Sequence, residues 1–542
     1  MSLPSQQLPE QPSRRPALSS DHRGGQSLYT QLSLKVIEPD CEKRSQHLSL
    51  PPFLPLDVIN EAITSDIIKA QSSWTTFLFK RTLFSHIFKQ ARKAFAVLVL
   101  CGEERLIWDL CHEGLVDDDL PLARSEIEGH FNVLASRHGK TFMSFSKSSS
   151  DREVDRFLKS QWLVLAPTLP TKDGHIHVDA KVPLPFYDIQ RVSPISRSTV
   201  YQGVLHAAHI TPKTKSHIQV AIKDYSEERD FDREKENLAI IQGLGHQHLI
   251  QHITTIQQGS LFYVIFPWAD GGSLFDFWGR DPDALQPPRD STFFMWCLQQ
   301  MFGIVDALFA LHEVNCRHGD LKPQNILYFQ NPESLTAQHT QHTQHNQYGT
   351  LVIADVGVSK VHAKATEFRS QPTQTNATTP CYEAPEAEFN TDGPRRRRYD
   401  MWSVGCVFME FVIWLLYGDR AISNFRERRR PTDSRHAWKA PYYEQVAETV
   451  VVHPAVARAL KALRNDPRCG NDTGLRSVVD LIANDLIIID PSKRVHGKEL
   501  RDKFKIIIQR ARRDQGYLTG RAQPPPGIPD VFGLVGHGRG YG

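Results

Sequence analysis

One short stretch limits the folds open to this chain more than any other: His318-Gly319-Asp320-Leu321-Lys322-Pro323-Gln324-Asn325. It sets an acid, a lysine two residues on and an amide five residues after the acid at fixed spacing. Three companions lie around it in order. Val220-Ala221-Ile222-Lys223 comes before it; Asp355-Val356-Gly357 and then Ala384-Pro385-Glu386 come after. The separations suit one domain with a short first lobe and a longer second one.

The residue types fit one chemistry. The aspartate can accept a proton from a hydroxyl, the lysine beyond it can steady a phosphate in transit, and the asparagine can reach a magnesium ion. Protein-kinase catalytic loops follow H-R-D-L-x-x-x-N, and here every specified position matches except the arginine, which is Gly319. Val220–Lys223 matches V-A-I-K, Asp355-Val356-Gly357 is a variant of D-F-G, and residues 384–386 match A-P-E. On these motifs the chain resembles a eukaryotic-type protein kinase of the serine/threonine type, divergent, from residue 186 to residue 510. It also resembles kinase-like proteins of filamentous fungi that carry a helical region ahead of the catalytic domain.

That resemblance implies an α+β fold: a bilobal kinase with a small β-rich lobe and a large helical lobe, preceded by a mainly helical domain. It implies ATP and Mg2+ as cofactors, with Mn2+ as an alternative, and protein substrates phosphorylated on serine or threonine in a signalling role. By carry-over, Asp320 orients the substrate hydroxyl, Lys322 steadies the γ-phosphate and Lys223 holds the other phosphates. Asn325 and Asp355 bind the metal. Adenine lies between Val200 and Ala221 above and Leu327 below, against the hinge Pro267-Trp268-Ala269, with Phe266 guarding the back of the pocket. Glu386 and Arg494 are expected to form a buried ion pair.

Lys223 needs an acidic partner on the following helix, and two candidates exist. Glu234 stands three residues after Phe231 and four before Leu238, on the apolar face; Glu236 is rotated away and is the runner-up. Three departures from the family pattern bear on activity. The glycine-rich loop has Ser193, Ile195 and Ser198 at its glycine positions, which should weaken the grip on nucleotide. Gly319 removes an arginine that receives a phosphorylated activation loop, so activity is not expected to depend on loop phosphorylation, although Arg317 could substitute. Val356 keeps the apolar character of D-F-G with a smaller contact. The alternative reading is therefore a pseudokinase or nucleotide-sensing scaffold with little phosphotransfer.

A chain of 542 residues calls for more than one folded unit. Residues 1–50, polar and rich in Pro and Ser, read as disordered, and the Pro/Gly-rich tail 511–542 likewise. Residues 51–168 hold enough periodic apolar material for a mainly helical domain that recruits a partner or regulates the kinase, with an amphipathic helix over 80–100. Residues 169–185 read as a linker, and 331–349 as a low-complexity insertion inside the kinase domain.

The net charge of +3 gives no reason to expect nucleic acid or membrane as a general partner. No apolar run appears long enough to span a bilayer, and residues 404–417 read as a buried core helix. Eight scattered cysteines without a C-x-x-C pair suit reduced thiols and an intracellular, cytoplasmic setting. Four arginines at 395–398 leave the nucleus open, though a solvated connection is the commoner role for such a run. Asp117-Asp118-Asp119 reads as a solvated turn with helix-capping carboxylates rather than a metal site, and His339, His342 and His345 as part of a surface loop.

Overall fold

The structure, a computed structural model, describes residues 27–39, 50–70, 81–125, 132–171, 174–192, 198–280, 291–330, 348–356, 380–389, 397–431, 439–470, 472–518 and 527–533. Ser193, Ile195, Gly357, the histidines of 338–345 and the arginines 395 and 396 lie outside these residues. The chain divides into two compact units: residues up to Glu38 with Pro51–Ala166, and Pro39–Leu50 with everything from Pro167 onward.

The first unit is mainly helical. Its core helix, Arg92–Cys101, is buried almost all round, from Ala94 to Val99. The single helix expected over 80–100 is instead two, Arg81–Gln90 and Arg92–Cys101. The break falls at Ala91, whose φ of −130° and ψ of 31° leave the helical region. Asp117 Oδ1 accepts the Ala94 N–H at 3.0 Å, capping the second helix. So Asp117 does cap a helix end, but partial burial raises its carboxyl pKa, and Asp119, which is buried, meets Lys140 Nζ at 3.2 Å. Of the turn expected to be solvated, Asp118 is exposed, Asp117 half-buried and Asp119 buried. A small antiparallel sheet of Ala123–Arg124, Leu134–Ala135 and Thr141–Phe142 completes the unit.

Residues 27–38, expected to be disordered, are folded. Leu28–Ser33 is a helix whose Leu32 is wholly buried with Leu54 and Phe95, and Ile37 exchanges both backbone hydrogen bonds with Phe53. One fully buried leucine and a strand bridge suffice to hold a segment whose composition reads as polar.

The second unit is bilobal. Its small lobe is a six-stranded sheet of β1 (Gly174–Val178), β2 (Phe186–Arg191), β3 (Ser198–Leu205), β4 (Ile218–Tyr225), β5 (Thr254–Gln258) and β6 (Leu261–Pro267), in the order β1-β5-β6-β4-β3-β2. All neighbours are antiparallel except β1, which runs parallel to β5. The expected linker is therefore sheet: β1 lies inside residues 169–185, and Leu169–Pro170 pairs with Ile210–Thr211. Gly174 permits this, because a Cβ there would come within 2.1 Å of the Pro170 ring.

The large lobe is built on α2 (Ser291–Glu313) and α3 (Arg398–Tyr417), with α1 (Glu228–Leu244) packed on the small-lobe sheet. Both α2 and α3 are long and apolar enough to cross a membrane, contrary to the sequence expectation. Their packing explains the composition: Tyr399 to Leu416 is buried without exception. Hairpin strands β7 (Ile326–Phe329) and β8 (Thr350–Ile353) follow the catalytic loop. The tail also departs from expectation, since Tyr517, Leu518 and Phe532 are buried in the large-lobe core.

Candidate active site

Strand alternation places the lysine. Val220 and Ile222 point into the small-lobe core, leaving Ala221 and Lys223 on the other face of β4. Lys223 stands opposite Val200 and Val264, and Ala221 opposite Gln202 and Phe266. Val200, Ala221, Lys223 and Phe266 therefore share one face. Phe266 and Leu327 pack with Ala269, Ile250, Phe329, Val352 and Ala354 in a small apolar cluster between the lobes. Trp268 is half-buried, and its backbone N–H holds the hinge to Gln219 O at 3.1 Å.

On α1, Phe231, Glu234, Leu238 and Ile241 are all buried, while Glu236 is exposed. The two candidate glutamates are thus separated by helical phase. Lys223 Nζ lies 3.4 Å from Glu234 Oε1 and 2.9 Å from Asp355 Oδ1. Burial alone would lower the lysine's pKa, but the two carboxylates overcome this and hold it well above its ordinary value. In return the Lys223 charge, working against burial, pulls Asp355 below the usual carboxylate range. Asp355 has a φ of 60°, a left-handed conformation that costs a non-glycine residue roughly 1–2 kcal/mol. Val356 beside it is buried in the large-lobe core.

The catalytic loop follows α2. Asp320 Oδ2 accepts from Lys322 Nζ at 2.7 Å and from Asn325 Nδ2 at 3.3 Å, and the Asp320 carbonyl accepts from the same amide at 2.8 Å. His318 accepts the Asp320 N–H at Nδ1 and donates from Nε2 to Ala354 O at 2.9 Å, tying the loop to the residue before Asp355. Acid, lysine, amide and second acid are therefore linked through hydrogen bonds into one constellation.

A divalent hard cation seeks oxygen donors. With its nitrogen committed to Asp320, Asn325 leaves its amide oxygen for that purpose, and Asp355 has a second oxygen beyond the one that meets Lys223. Ala354 N donates to Asn325 O at 2.8 Å, so both residues stand at the same end of the β7–β8 pair. The two oxygens suit magnesium, which these residues would hold and whose charge would offset that of bound phosphate. Among the described residues no group of three or more His, Cys, Asp or Glu is arranged to hold a metal.

Asp400 stands in the first turn of α3. In the structure it is fully buried and accepts from His318 N and Gly319 N, each at 2.9 Å, and bonds His312 Nε2 at 2.8 Å. Burial opposes its charge, but the His312 contact and the Gly319 N–H keep its pKa below the ordinary value. The only signal was its place at the head of an otherwise apolar helix. Gly319 has a φ of 82°, where glycine carries no Cβ penalty. Arg317 is buried, its guanidinium 5.9 Å from the Tyr399 ring.

Further along, the expected ion pair is present. Arg494 meets Glu386 through two bonds of 2.7 and 3.1 Å and also donates to Ile488 O and Arg398 O. Just before it, Tyr382 donates to Glu410 Oε2 at 2.7 Å and accepts at its carbonyl from Ser403 Oγ.

A protein-family model described as Protein kinase domain matches residues 201–502, more than half of the chain. The chain belongs to the protein kinase family. Kinases of this family use ATP and a divalent metal ion and act on proteins. The chain is 29% identical over 247 residues to the serine/threonine-protein kinase atg1 of Penicillium rubens, covering 40% of this chain and 24% of that protein. It is 28% identical over 177 residues to the calcium/calmodulin-dependent protein kinase cmkA of Emericella nidulans, covering 32% and 35%. To a probable serine/threonine-protein kinase, fhkD, of Dictyostelium discoideum it is 26% identical over 194 residues, covering 34% and 23%. The matched stretch spans a quarter to a third of the length of these kinases.

Proposed function

We propose that this kinase transfers the γ-phosphate of Mg-ATP to serine and threonine hydroxyls of protein substrates. The observation that carries the proposal is Lys223 bonded at once to Glu234 and Asp355. A kinase can act only when its strand lysine is paired with the helix glutamate and its metal-binding aspartate is in place.

Each residue then has a task. Lys223 binds the inner phosphates and is itself fixed by Glu234. Asp320 accepts the proton of the incoming hydroxyl, and Lys322, already 2.7 Å from that carboxylate, is placed to steady the transferring group. Asn325 and Asp355 would hold magnesium, whose charge offsets that of the phosphates. Val200, Ala221 and Leu327 would sandwich the adenine, with Phe266 behind it and Trp268 and Ala269 at the hinge. Positioning and charge account for most of the catalysis asked of such a site. The first, helical unit serves as a regulatory or recruiting module. Seven described cysteines, all free and buried, support an intracellular, cytoplasmic setting, with the nucleus as the alternative.

Label transfer from γ-labelled ATP by wild type and by Asp320→Asn, with magnesium and then manganese, tests the proposal. Transfer by wild type and not by the variant is expected. A nucleotide-induced thermal shift without transfer would favour the scaffold reading, which the serines in the nucleotide loop motivate.

A further inference from the structure

Residues 527–533 are seated in a built pocket that the function so far leaves unused. Phe532 has no exposed surface. Its ring lies 4.9 Å from Tyr417, at the end of α3, and 6.4 Å from Phe425 in α4 (Asp419–Glu427). Asn424 Nδ2 donates to Phe532 O at 2.9 Å, and Arg428 donates to Asp530 O at 2.7 Å and Gly533 O at 3.4 Å. One aromatic anchor and three backbone carbonyls are thus what the pocket recognises. Within the segment, Phe532 and Gly533 both donate back to Pro529 O, so the turn that presents the ring is self-supported.

The opposite side of α4 reaches the region where a protein substrate would dock. Phe425 stands 5.8 Å from Tyr442, and the Arg429 guanidinium lies over both rings. Arg429, with no exposed surface on its side chain, meets the equally buried Glu410 at 3.1 Å, and Arg426 meets Glu410 at 3.6 Å and the Tyr382 hydroxyl at 3.3 Å. Tyr382 belongs to the segment that leads into Ala384-Pro385-Glu386. A buried charge network of this kind holds its geometry only while the packing around it is complete. Phe425 has Phe532 on one side and the network on the other.

We infer that residues 527–533 are a tethered docking segment that occupies this pocket in cis and braces the substrate shelf at 380–389 through α4. The inference rests on the proposed kinase activity for its consequence, but not for its geometry. An occupied pocket favours binding of the protein acceptor and leaves nucleotide binding alone, because none of the groups in this chain of contacts belongs to the nucleotide face.

The test compares the full chain with Phe532→Ala, using casein as acceptor and a fluorescein-labelled synthetic peptide of residues 527–533. The variant should raise KM for casein about fivefold, as loss of one anchor side chain does at an interface, with KM for ATP unchanged. Hydrogen exchange at residues 381–389 should quicken in the variant and return to the wild-type rate with saturating peptide. The peptide should bind the variant and not wild type, whose pocket is filled. Equal binding to both, or unchanged exchange at 381–389, would overturn the inference. Should Phe532→Ala fail to fold, the Asn424→Ala, Arg428→Gln double variant keeps every core aromatic and should give the same rise in KM for casein and the same faster exchange at 381–389, with no rescue by the peptide, because the pocket itself has lost the donors that hold it; unchanged exchange in this variant would overturn the inference. If neither chain transfers phosphate, the activity proposal fails while the exchange and peptide measurements still decide this one.

Discussion

Gly319 donates its backbone N–H to Asp400 Oδ1 at 2.9 Å, which fastens the catalytic loop to the first turn of α3. The other carboxylate oxygen takes the His318 N–H and the His312 ring. One buried acid therefore fixes the two residues that precede Asp320. Asp400→Ala would leave two backbone donors and a histidine without their acceptor, at an expected cost of about 3–5 kcal/mol. The urea midpoint of the variant measures it, and phosphotransfer should fall with it even under conditions where the variant is folded.

The same contact assigns Gly319 a conformational role. A side chain at a φ of 82° is strained, while the nearest atom to an added Cβ, Arg317 Nε, is 4.0 Å away. Gly319→Ala and Gly319→Arg should both lose about 1–2 kcal/mol from backbone strain rather than from clash. Equal losses in denaturant unfolding would support this; a much larger loss for arginine would point to steric conflict instead.

Lys223→Met removes the cation that Glu234 and Asp355 share. Phosphotransfer should drop about 100-fold or more, and the thermal shift produced by Mg-ATP should shrink. A variant that keeps full transfer would exclude Lys223 from the site.

Arg494 and Glu386 should respond unequally to truncation. Arg494→Ala leaves a carboxylate and the carbonyls of Ile488 and Arg398 without their donor, and should cost about 3–5 kcal/mol. Glu386→Ala leaves the arginine still bonded to those carbonyls, and about 1–3 kcal/mol is expected. Unfolding midpoints of the two variants give the comparison.

The helical unit should have its own pH response. Burial, reinforced by the nearby Glu153 carboxylate, pushes the Glu103 carboxyl up to about 7. The folded form then holds a proton that the unfolded chain, with a glutamate near ~4.3, gives up. Stability should therefore fall as pH rises between those two values, with the penalty complete above about 7. Glu103→Gln should flatten that part of the profile, followed by hydrogen exchange in the helix Arg92–Cys101. Glu153 itself, capping Ser150, is shifted the other way and acts only at lower pH.

Much of the site was legible because catalysis fixes spacing along short stretches. Lys223, Asp320, Lys322 and Asn325 sit on single strands or one loop, and helical phase alone separated Glu234 from Glu236. What escaped was long-range. Asp400 meets the loop from more than eighty residues away, and its place at the head of an apolar helix does not reveal that contact. The order at residues 27–38 and 527–533 rests on one fully buried side chain each, Leu32 and Phe532, and on hydrogen bonds to backbone groups from distant residues, within stretches whose composition reads as disordered. The break at Ala91 comes from a distant cap, Asp117, that no periodicity reveals.

The β7–β8 hairpin has a consequence for how this gene can vary. Its four pairs run from Ile326–Ile353, beside Asn325 and Asp355, to Phe329–Thr350 at the other end. That end is pinned again by the Tyr328 hydroxyl on Tyr348 O and the Trp296 indole on Gly349 O. Closing a longer loop costs only about 0.6 kcal/mol per doubling of length. Insertions, deletions or a spliced-in tag at 331–347 should thus be invisible to Asn325 and Asp355, making this the place where sequence can drift, or a reporter can be added, at the least expense to the chemistry.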